Sequence, residues 1–273
     1  MKYSYIFRKV TKIYPFKITS YVKKQIKHFS FKDPVFKMYY PHLDELRSFY
    51  QKSMDPYFEE KYSVIKKGNI PILVHKYPSR VLIVTTNYCP ALCRFCMRKK
   101  NWGKLFFINK KDIDKILNYI KTQKKIEEVL VSGGEPITLG KDALFYLLEN
   151  LEKIDHVKII RFATKAVLTA PNLFTKEHID FFKNISKLIF IIHINHLNEV
   201  IEENKNLLRL LANDFKVFSQ TVLLKGINDT YEDLSSLFKF LRNIKIKPYY
   251  LFDCDPVKSV YHFKVDNKKK DKL

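Results

Sequence analysis

From Val81 onward, short apolar runs alternate with longer segments whose apolar residues recur every three or four positions. The short runs, Val81–Thr86, Glu128–Ser132, Lys158–Thr164, Leu188–Ile194, Val217–Leu224 and Tyr249–Phe252, read as strands. The segments between them, Lys111–Lys124, Lys141–Ile154, Pro171–Ile185, Leu197–Phe215 and Tyr231–Ile244, carry helical spacing. Strands alternating with helices at crossover length imply parallel strands joined by right-handed connections. Six such units fall short of a closed eight-fold barrel. The pattern therefore predicts an α/β fold with a partial (βα)6 barrel over residues 75–265. Residues 1–74 are less regular: Lys12–Phe29 and Leu43–Tyr50 have helical spacing, and Pro34 and Pro41 punctuate them. A mostly helical N-terminal extension is expected there, and 266–273 is expected to be a charged tail with solvated lysines.

In parallel α/β folds the chemistry sits at the carboxyl ends of the strands. The notable polar groups are read there: three cysteines after the first strand, Ser132, Gly133, Gly134 and Glu135 after the second, Arg161 and Thr164 after the third. His193 and Asn195 follow the fourth, Gln220 lies in or near the end of the fifth, and Asp253 and Asp255 follow the sixth. Cys89, Cys93 and Cys96 fall within eight residues, while Cys254 stands apart and reads as a packed thiol. This is not the spread of a disulfide framework. Soft thiolates suit iron–sulfur chemistry, and three ligands for a four-iron cubane leave one iron open. A zinc site would want a fourth Cys or His, which only His75 or His196 could bring from across the fold.

The formal charge of +22 invites a nucleic-acid reading, but the basic residues are mostly Lys and are scattered along the chain. Arg-rich base-reading and phosphate-clamping signatures are missing, so composition weighs against a dedicated nucleic-acid role. The longest clean apolar run, Leu188–Ile192, is far shorter than a membrane span, and the first dozen residues lack the apolar segment of a secretory signal. A cytoplasmic protein is expected.

The Cys-x3-Cys-x2-Cys loop after the first strand, accompanied by Ser132-Gly-Gly-Glu-Pro after the second, resembles the radical S-adenosylmethionine (SAM) superfamily. That resemblance implies a [4Fe-4S] cluster on Cys89, Cys93 and Cys96. Its open iron would chelate the methionine amino and carboxylate groups of SAM, and an electron from an external donor would release a 5′-deoxyadenosyl radical. Phe95 would pack near the adenine. The glycine pair allows close backbone approach, and Glu135 offers a carboxylate to an ammonium. Further segments stand in order: His75-Lys-Tyr-Pro-Ser-Arg80, Cys96-Met-Arg98, His193-Ile-Asn-His196, Gln220-Thr-Val-Leu-Leu-Lys-Gly-Ile-Asn-Asp229 and Pro248-Tyr-Tyr-Leu-Phe-Asp-Cys-Asp255. With Met54-Asp-Pro and Glu59-Glu-Lys-Tyr they are similar to the lysine 2,3-aminomutase family, which includes the enzymes that form β-lysine for elongation factor P.

By that likeness the chain is an isomerase moving an amino group from Cα to Cβ of lysine or a related amino acid, with pyridoxal phosphate (PLP). Arg98 would grip the substrate carboxylate and Asp255 its distal ammonium. Tyr77 and Arg80 would lie on the PLP side. Arg161, Thr164, His193, Asn195 and Gln220 would line the same mouth, although His193 and His196 also read as hydrogen-bonded core histidines. The family's PLP-anchoring lysine has no counterpart here, since no internal lysine has a glycine-rich context. Three readings stay open: other radical SAM chemistry, PLP held non-covalently or by another chain of an oligomer, and a truncated product. A non-catalytic iron–sulfur protein and an enzyme acting on RNA or protein are the further alternatives. A partial barrel must also be covered, by residues 1–70, by substrate or by another subunit, because radicals need a dry pocket.

Overall fold

The computed structural model describes residues 2–47, 55–103, 105–271 and 273. Three short helices lead in: α1 (Lys2–Thr11), α2 (Ser20–Gln25) and α3 (Pro34–Tyr39). This differs from the helix expected over 12–29. Only α2 forms in that window, where Pro15 cannot donate a helical hydrogen bond and the Thr19 side chain caps Val22 N. Leu43–Leu46 is a single 3-10 turn, and residues 48–50 of the helix expected beside it lie outside the described residues, as does Met54.

The centre is one eight-stranded sheet in which each strand lies beside its sequence neighbour. A hairpin comes first, β1 (Ser63–Lys67) and β2 (Ile70–Tyr77), turned at Gly68 with φ +58. β2 pairs antiparallel with β3 (Arg80–Val84). The hairpin departs from the irregular stretch expected there. Ile72, Leu73 and Val74 are all buried, so β2 lacks the strict alternation that marks a half-exposed strand.

From β3 the sheet is parallel through β4 (Glu128–Ser132), β5 (Ile159–Thr164), β6 (Leu188–His193), β7 (Lys216–Leu223) and β8 (Lys247–Asp253). These are the six strands that the pattern predicts, with slightly shifted ends. Helices α4 (Lys110–Thr122), α5 (Lys141–Glu152), α6 (Ala166–Thr169), α7 (Lys176–Phe182), α8 (Glu202–Asp214) and α9 (Tyr231–Asn243) alternate with them. In α4, Ile113, Ile116, Leu117 and Ile120 recur on one face, and an Asn109–Asp112 capping box fixes its start. In α5, Leu144, Leu147, Leu148 and Leu151 do the same. These faces meet the outward residues of the strands in one core.

Along β4, β5 and β7, residues alternate between fully buried and half-buried. The buried set faces the helices, and the half-buried set faces the concave inner side of the sheet. That inner surface carries Glu128, Arg161 and Gln220.

A second core lies apart from the first. Val22, Val35, Phe36, Met38 and Tyr39 of the extension pack with Ala91 and Phe95 of the cysteine loop, and with Cys254, Val257, Val260 and Phe263. The extension therefore covers the cysteine loop. Beyond it the charged tail forms one short helix, α10 (Asn267–Lys270), that has no buried residue, as expected, but is held by ion pairs. Asp266 caps it, Lys269 pairs with Asp229 at 2.6 Å and Lys270 with Asp253 at 2.5 Å.

Candidate active site

The cysteine loop leaves β3 and is held from the N-terminal extension through its backbone. Leu92 N donates to Lys17 O at 2.9 Å and Arg94 N to Met38 O at 2.8 Å. Arg94 is fully buried, and its guanidinium grips the Glu45 carboxylate with Nε 3.0 Å from each oxygen and donates to Pro15 O. Lys99 Nζ reaches the same carboxylate at 2.8 Å and Ser259 O at 3.1 Å. The loop is thus locked in place by a buried Arg94–Glu45–Lys99 cluster to which the sequence reading assigned no role. In the sequence Arg94 passes for one of many scattered cations.

The three thiols lie close enough to oppose one another's ionisation. Burial pushes the Cys93 thiol up to about 12, and Cys89 and Cys96 also move up, chiefly through burial. Such thiols want a cationic partner before they ionise. Beside Cys93 the Tyr39 hydroxyl is fully buried and aimed at the Cys93 sulfur. A thiolate or sulfide acceptor there would take its proton in a stronger hydrogen bond, so the donor set and this hydroxyl both fit a cluster here. His75 and His196 are engaged elsewhere: His75 Nδ1 with the Tyr119 hydroxyl at 2.8 Å, His196 with Asn198 N and Asp233.

Ser132-Gly133-Gly134-Glu135 is stitched directly onto the strand leading into that loop. Ser132 O accepts from Thr85 N and Thr85 Oγ1, both at 2.9 Å. Gly134 N donates to Thr86 O, and Glu135 N to Tyr88 O at 2.8 Å. Gly133 sits at φ +124, and a Cβ there would stand 2.6 Å from Thr86 O; one on Gly134 would run into the Tyr88 carbonyl. Close approach is therefore the reason for both glycines. The Glu135 carboxylate is buried and accepts from Thr164 Oγ1 at 2.7 Å and from Lys165 N and Ala166 N at 2.9 Å. Burial pushes its carboxyl up to about 7 against the pull of these donors. Glu135 and Thr164 thus tie the β4 and β5 loops together.

The other expected site residues fall on two levels. Near the cysteines, Phe95 packs against His193, with centroids 5.5 Å apart. His193 Nε2 lies 3.1 Å from Asn195 Oδ1, and burial, with Lys165 second, pushes its pKa down to about 3. The imidazole is neutral, so Nε2–H donates. Gln220 lies inside β7, paired in register with His193 and Tyr250. Asn195 is a correction. It does not line the mouth but is wholly buried, receiving Val222 N on Oδ1 and Asn228 Nδ2 on its carbonyl. Thr164 is buried likewise, its side chain on the helix side of β5.

Arg161 is the second correction. It is the third residue of β5, not a loop residue after it, and lies towards the amino ends of the strands. There its guanidinium meets Glu128, the first residue of β4, at 2.9 Å and the Tyr250 hydroxyl at 3.1 Å. Arg80 sits at that same end, 5.6 Å over the Tyr77 ring and 4.0 Å from Glu128. The Nε of Arg161 is buried without a partner. A phosphate on that floor would meet the two guanidiniums only by displacing the Glu128 carboxylate that both now face. Lys165 and Glu199, to which the sequence alone gives no site role, pair with each other near Phe95 and His193.

Arg98 and Asp255 both lie close enough to Cys96, and to each other, to influence ionisation there. Neither is free. Arg98 Nη2 is 2.5 Å from Glu59 Oε1 and its Nε 3.3 Å from Glu59 Oε2; the Tyr57 hydroxyl donates to Asp255 Oδ1 at 2.5 Å. Lys100 pairs with Glu60 at 2.7 Å. The Arg98-Lys99-Lys100 run is thus fully partnered from residues 45–60.

A profile of the radical SAM superfamily matches residues 83–241, from the end of β3 through the cysteine loop to α9, without β8. This chain belongs to the radical SAM superfamily. A putative L-lysine 2,3-aminomutase of Aquifex aeolicus (strain VF5) is 40% identical over 92% of this chain and 68% of its own length. The L-lysine 2,3-aminomutase of Acetoanaerobium sticklandii is 33% identical over 85% of this chain, which spans 55% of that relative. These relatives place the chain in the lysine 2,3-aminomutase family. The crystal structure of Streptococcus suis SuiB bound to S-adenosylmethionine matches with a TM-score of 0.57 at 19% identity, over 72% of this chain and 47% of that one. It shares the fold. The cofactors of a radical SAM protein are a [4Fe-4S] cluster and SAM, and Cys89, Cys93 and Cys96 are the residues that suit the cluster. Among the described residues, no helix is long and apolar enough to cross a membrane.

Proposed function

We propose that this protein is a radical SAM aminomutase that shifts an amino group between adjacent carbons of a small free amino acid, with lysine favoured. The observation that carries the reading is the pairing of Arg98 and Asp255 beside Cys96: one group for a carboxylate and one for an ammonium, at the edge of the candidate cluster loop. When bound, the cluster and SAM supply a 5′-deoxyadenosyl radical that opens a substrate C–H bond. The chain's own residues position and exclude. Arg98 holds the substrate carboxylate in its fork, which fixes the α-carbon's distance from the cysteine loop. Asp255 selects a distal ammonium. Ser132 to Glu135 present backbone groups at the SAM side, and Phe95 and neutral His193 offer a flat wall. The second core keeps water and oxidants from the thiolates. The floor around Arg161, Arg80 and Tyr77 suits the phosphate of PLP once Glu128 is displaced. The unpaired cysteine pattern fits a reducing cytoplasmic setting, and an external donor supplies the electron.

Anaerobic reconstitution with iron, sulfide, SAM and reductant, with and without PLP, tests this. The expected result is 5′-deoxyadenosine whose yield depends on an added amino acid, L-lysine first, and β-amino product when PLP is present. Cys93→Ala should abolish deoxyadenosine. Zinc in the anaerobically purified protein, or full activity of the Cys93 variant, would sink the cluster assignment.

A further inference from the structure

We propose that Glu59 is a built-in stand-in for the substrate carboxylate, so that an amino acid enters by displacing residues 55–62 from Arg98 and Asp255. The proposal rests on the reading of those two residues given above. Its basis is the geometry of the strap. Both oxygens of Glu59 face the Arg98 guanidinium, Oε1 at 2.5 Å and Oε2 at 3.3 Å, the two-point contact a substrate carboxylate would make. Nearby, the Tyr57 hydroxyl donates to Asp255 as an ammonium would. The two contacts that recognise the ends of a diamino acid are therefore both made, two residues apart, by one segment of the chain.

The same segment is fixed independently of those contacts. Glu59 N and Glu60 N donate to the Asp55 carboxylate at 3.0 and 2.9 Å, and Lys100 holds Glu60. Lys76 Nζ donates to Tyr57 O at 3.3 Å, and the Lys76 ammonium sits near the Tyr57, Phe58 and Tyr62 rings. Phe58 holds a left-handed φ of 58, which a bulky aromatic adopts at a cost. The strap is thus tethered at its flanks, while its two central side chains fill the ligand positions. An entering amino acid replaces Glu59 and Tyr57 and so frees the strap from its two central contacts, which loosens residues 55–62 as a unit. Charge selects for the same ligands: a neutral or cationic group offers Arg98 nothing in exchange for Glu59, so a carboxylate is required for entry.

The test is calorimetric binding to the reconstituted, SAM-loaded full chain, with L-lysine and with 1,5-diaminopentane, which keeps both amines and lacks the carboxylate. Glu59→Gln should tighten L-lysine binding about three- to tenfold and leave diaminopentane and SAM affinities unchanged. Hydrogen exchange in the wild-type chain should show residues 55–62 losing protection when L-lysine is added, a readout that needs no variant. Unchanged or weakened lysine binding in Glu59→Gln, together with exchange in the strap indifferent to lysine, identifies Glu59 as a brace and overturns the proposal. An equal gain for lysine and diaminopentane overturns it as well, since the carboxylate would then play no part. Arg98→Ala separates the two readings: if it leaves lysine affinity intact, the assignment of Arg98 fails first and takes this one with it. If it abolishes binding while Glu59→Gln changes nothing, only the stand-in falls.

Discussion

Glu45 accepts two cations in a fully buried setting, and the Arg94–Glu45–Lys99 cluster is the cysteine loop's polar anchor. Burial outweighs Glu45 on Lys99 and brings its ammonium down to about 8. Breaking such a group by removing one partner leaves buried charge uncompensated and costs about 3–5 kcal/mol. Arg94→Ala should therefore lower the unfolding free energy read from urea melts by an amount in that range, with a lower midpoint, whereas a surface change such as Lys176→Ala should move it little. A midpoint unaltered in Arg94→Ala would mean that the cluster does not anchor the loop. His193 makes a pH prediction. Its folded pKa of about 3 lies below the usual 6.5, so below pH 6.5 the unfolded chain binds a proton that the folded chain refuses. Stability from this group falls as pH drops from about 6.5 towards 3, at most about 1.4 kcal/mol per pH unit. His262, pushed down to about 2 by burial, adds a slope of the same sign. His193→Gln should flatten the acid side of the profile measured by urea unfolding between pH 7 and 5, with His262 left to supply the remainder. At this scale the sequence marked the residues whose chemistry is rare, the three cysteines and the glycine pair. It misjudged Asn195, whose partners come from β7 and from a loop far along the chain; it gave no sign of Glu45, and it marked Glu59 only as part of a family-like segment, without a role. Their importance is created by burial and by an arginine reached only through the fold.

At the scale of elements, the parallel strands were legible because each is a short apolar run closed by a polar loop, and the helices between them because their leucines and isoleucines keep one face. The lead-in was not. Its helices are too short to show a period, and the β1–β2 hairpin has a strand buried on both faces beside one that is scarcely buried. Arg161 was misplaced by the same limit: a loop and a strand of alternating polarity look alike until register sets which end a side chain serves. Element joints carry the sharpest steric condition. β4 ends in a loop whose Gly134 lies against the backbone of the cysteine loop, where a Cβ would meet the Tyr88 carbonyl. Backbone on both sides cannot yield as a flexible side chain would, so Gly134→Ala should part the two loops and break the Glu135 N to Tyr88 O bond. The expected outcome is SAM affinity reduced at least about tenfold in equilibrium binding, a loss of roughly 1.4 kcal/mol or more. Gly140→Ala, strained by its φ of +90 but with nothing within 4 Å of the added carbon, should cost stability while leaving SAM affinity of the folded protein intact.

Taken whole, the molecule has two cores with different duties. The larger binds helices to sheet; the smaller joins the N-terminal extension, the cysteine loop and residues 254–263 and contains no part of the helix layer. An open sheet leaves its loops exposed at the carboxyl ends, and the small core is what packs against the cysteine loop, Cys93 included. Stability and protection should therefore separate under mutation. Leu148 lies in the large core with no side-chain exposure, and Leu148→Ala should cost about 2–5 kcal/mol by burial lost and cavity left. Phe36 lies in the small core, stacked on Tyr40 with centroids 4.0 Å apart and met edge-on by Phe29 and Phe31. Phe36→Ala should cost about 3–5 kcal/mol, a similar sum. The two variants should differ in air. Loosening the large core leaves the cysteine loop's cover in place, so the visible absorbance of the reconstituted Leu148 variant should bleach at the wild-type rate under conditions where both stay folded. Removing Phe36 loosens α3, whose Met38 carbonyl holds Arg94 N and whose Tyr39 lies against Cys93, and oxygen should then reach the thiolates faster. Equal bleaching in the two variants, at matched folded fractions, would show that the extension packs on the loop without sealing it.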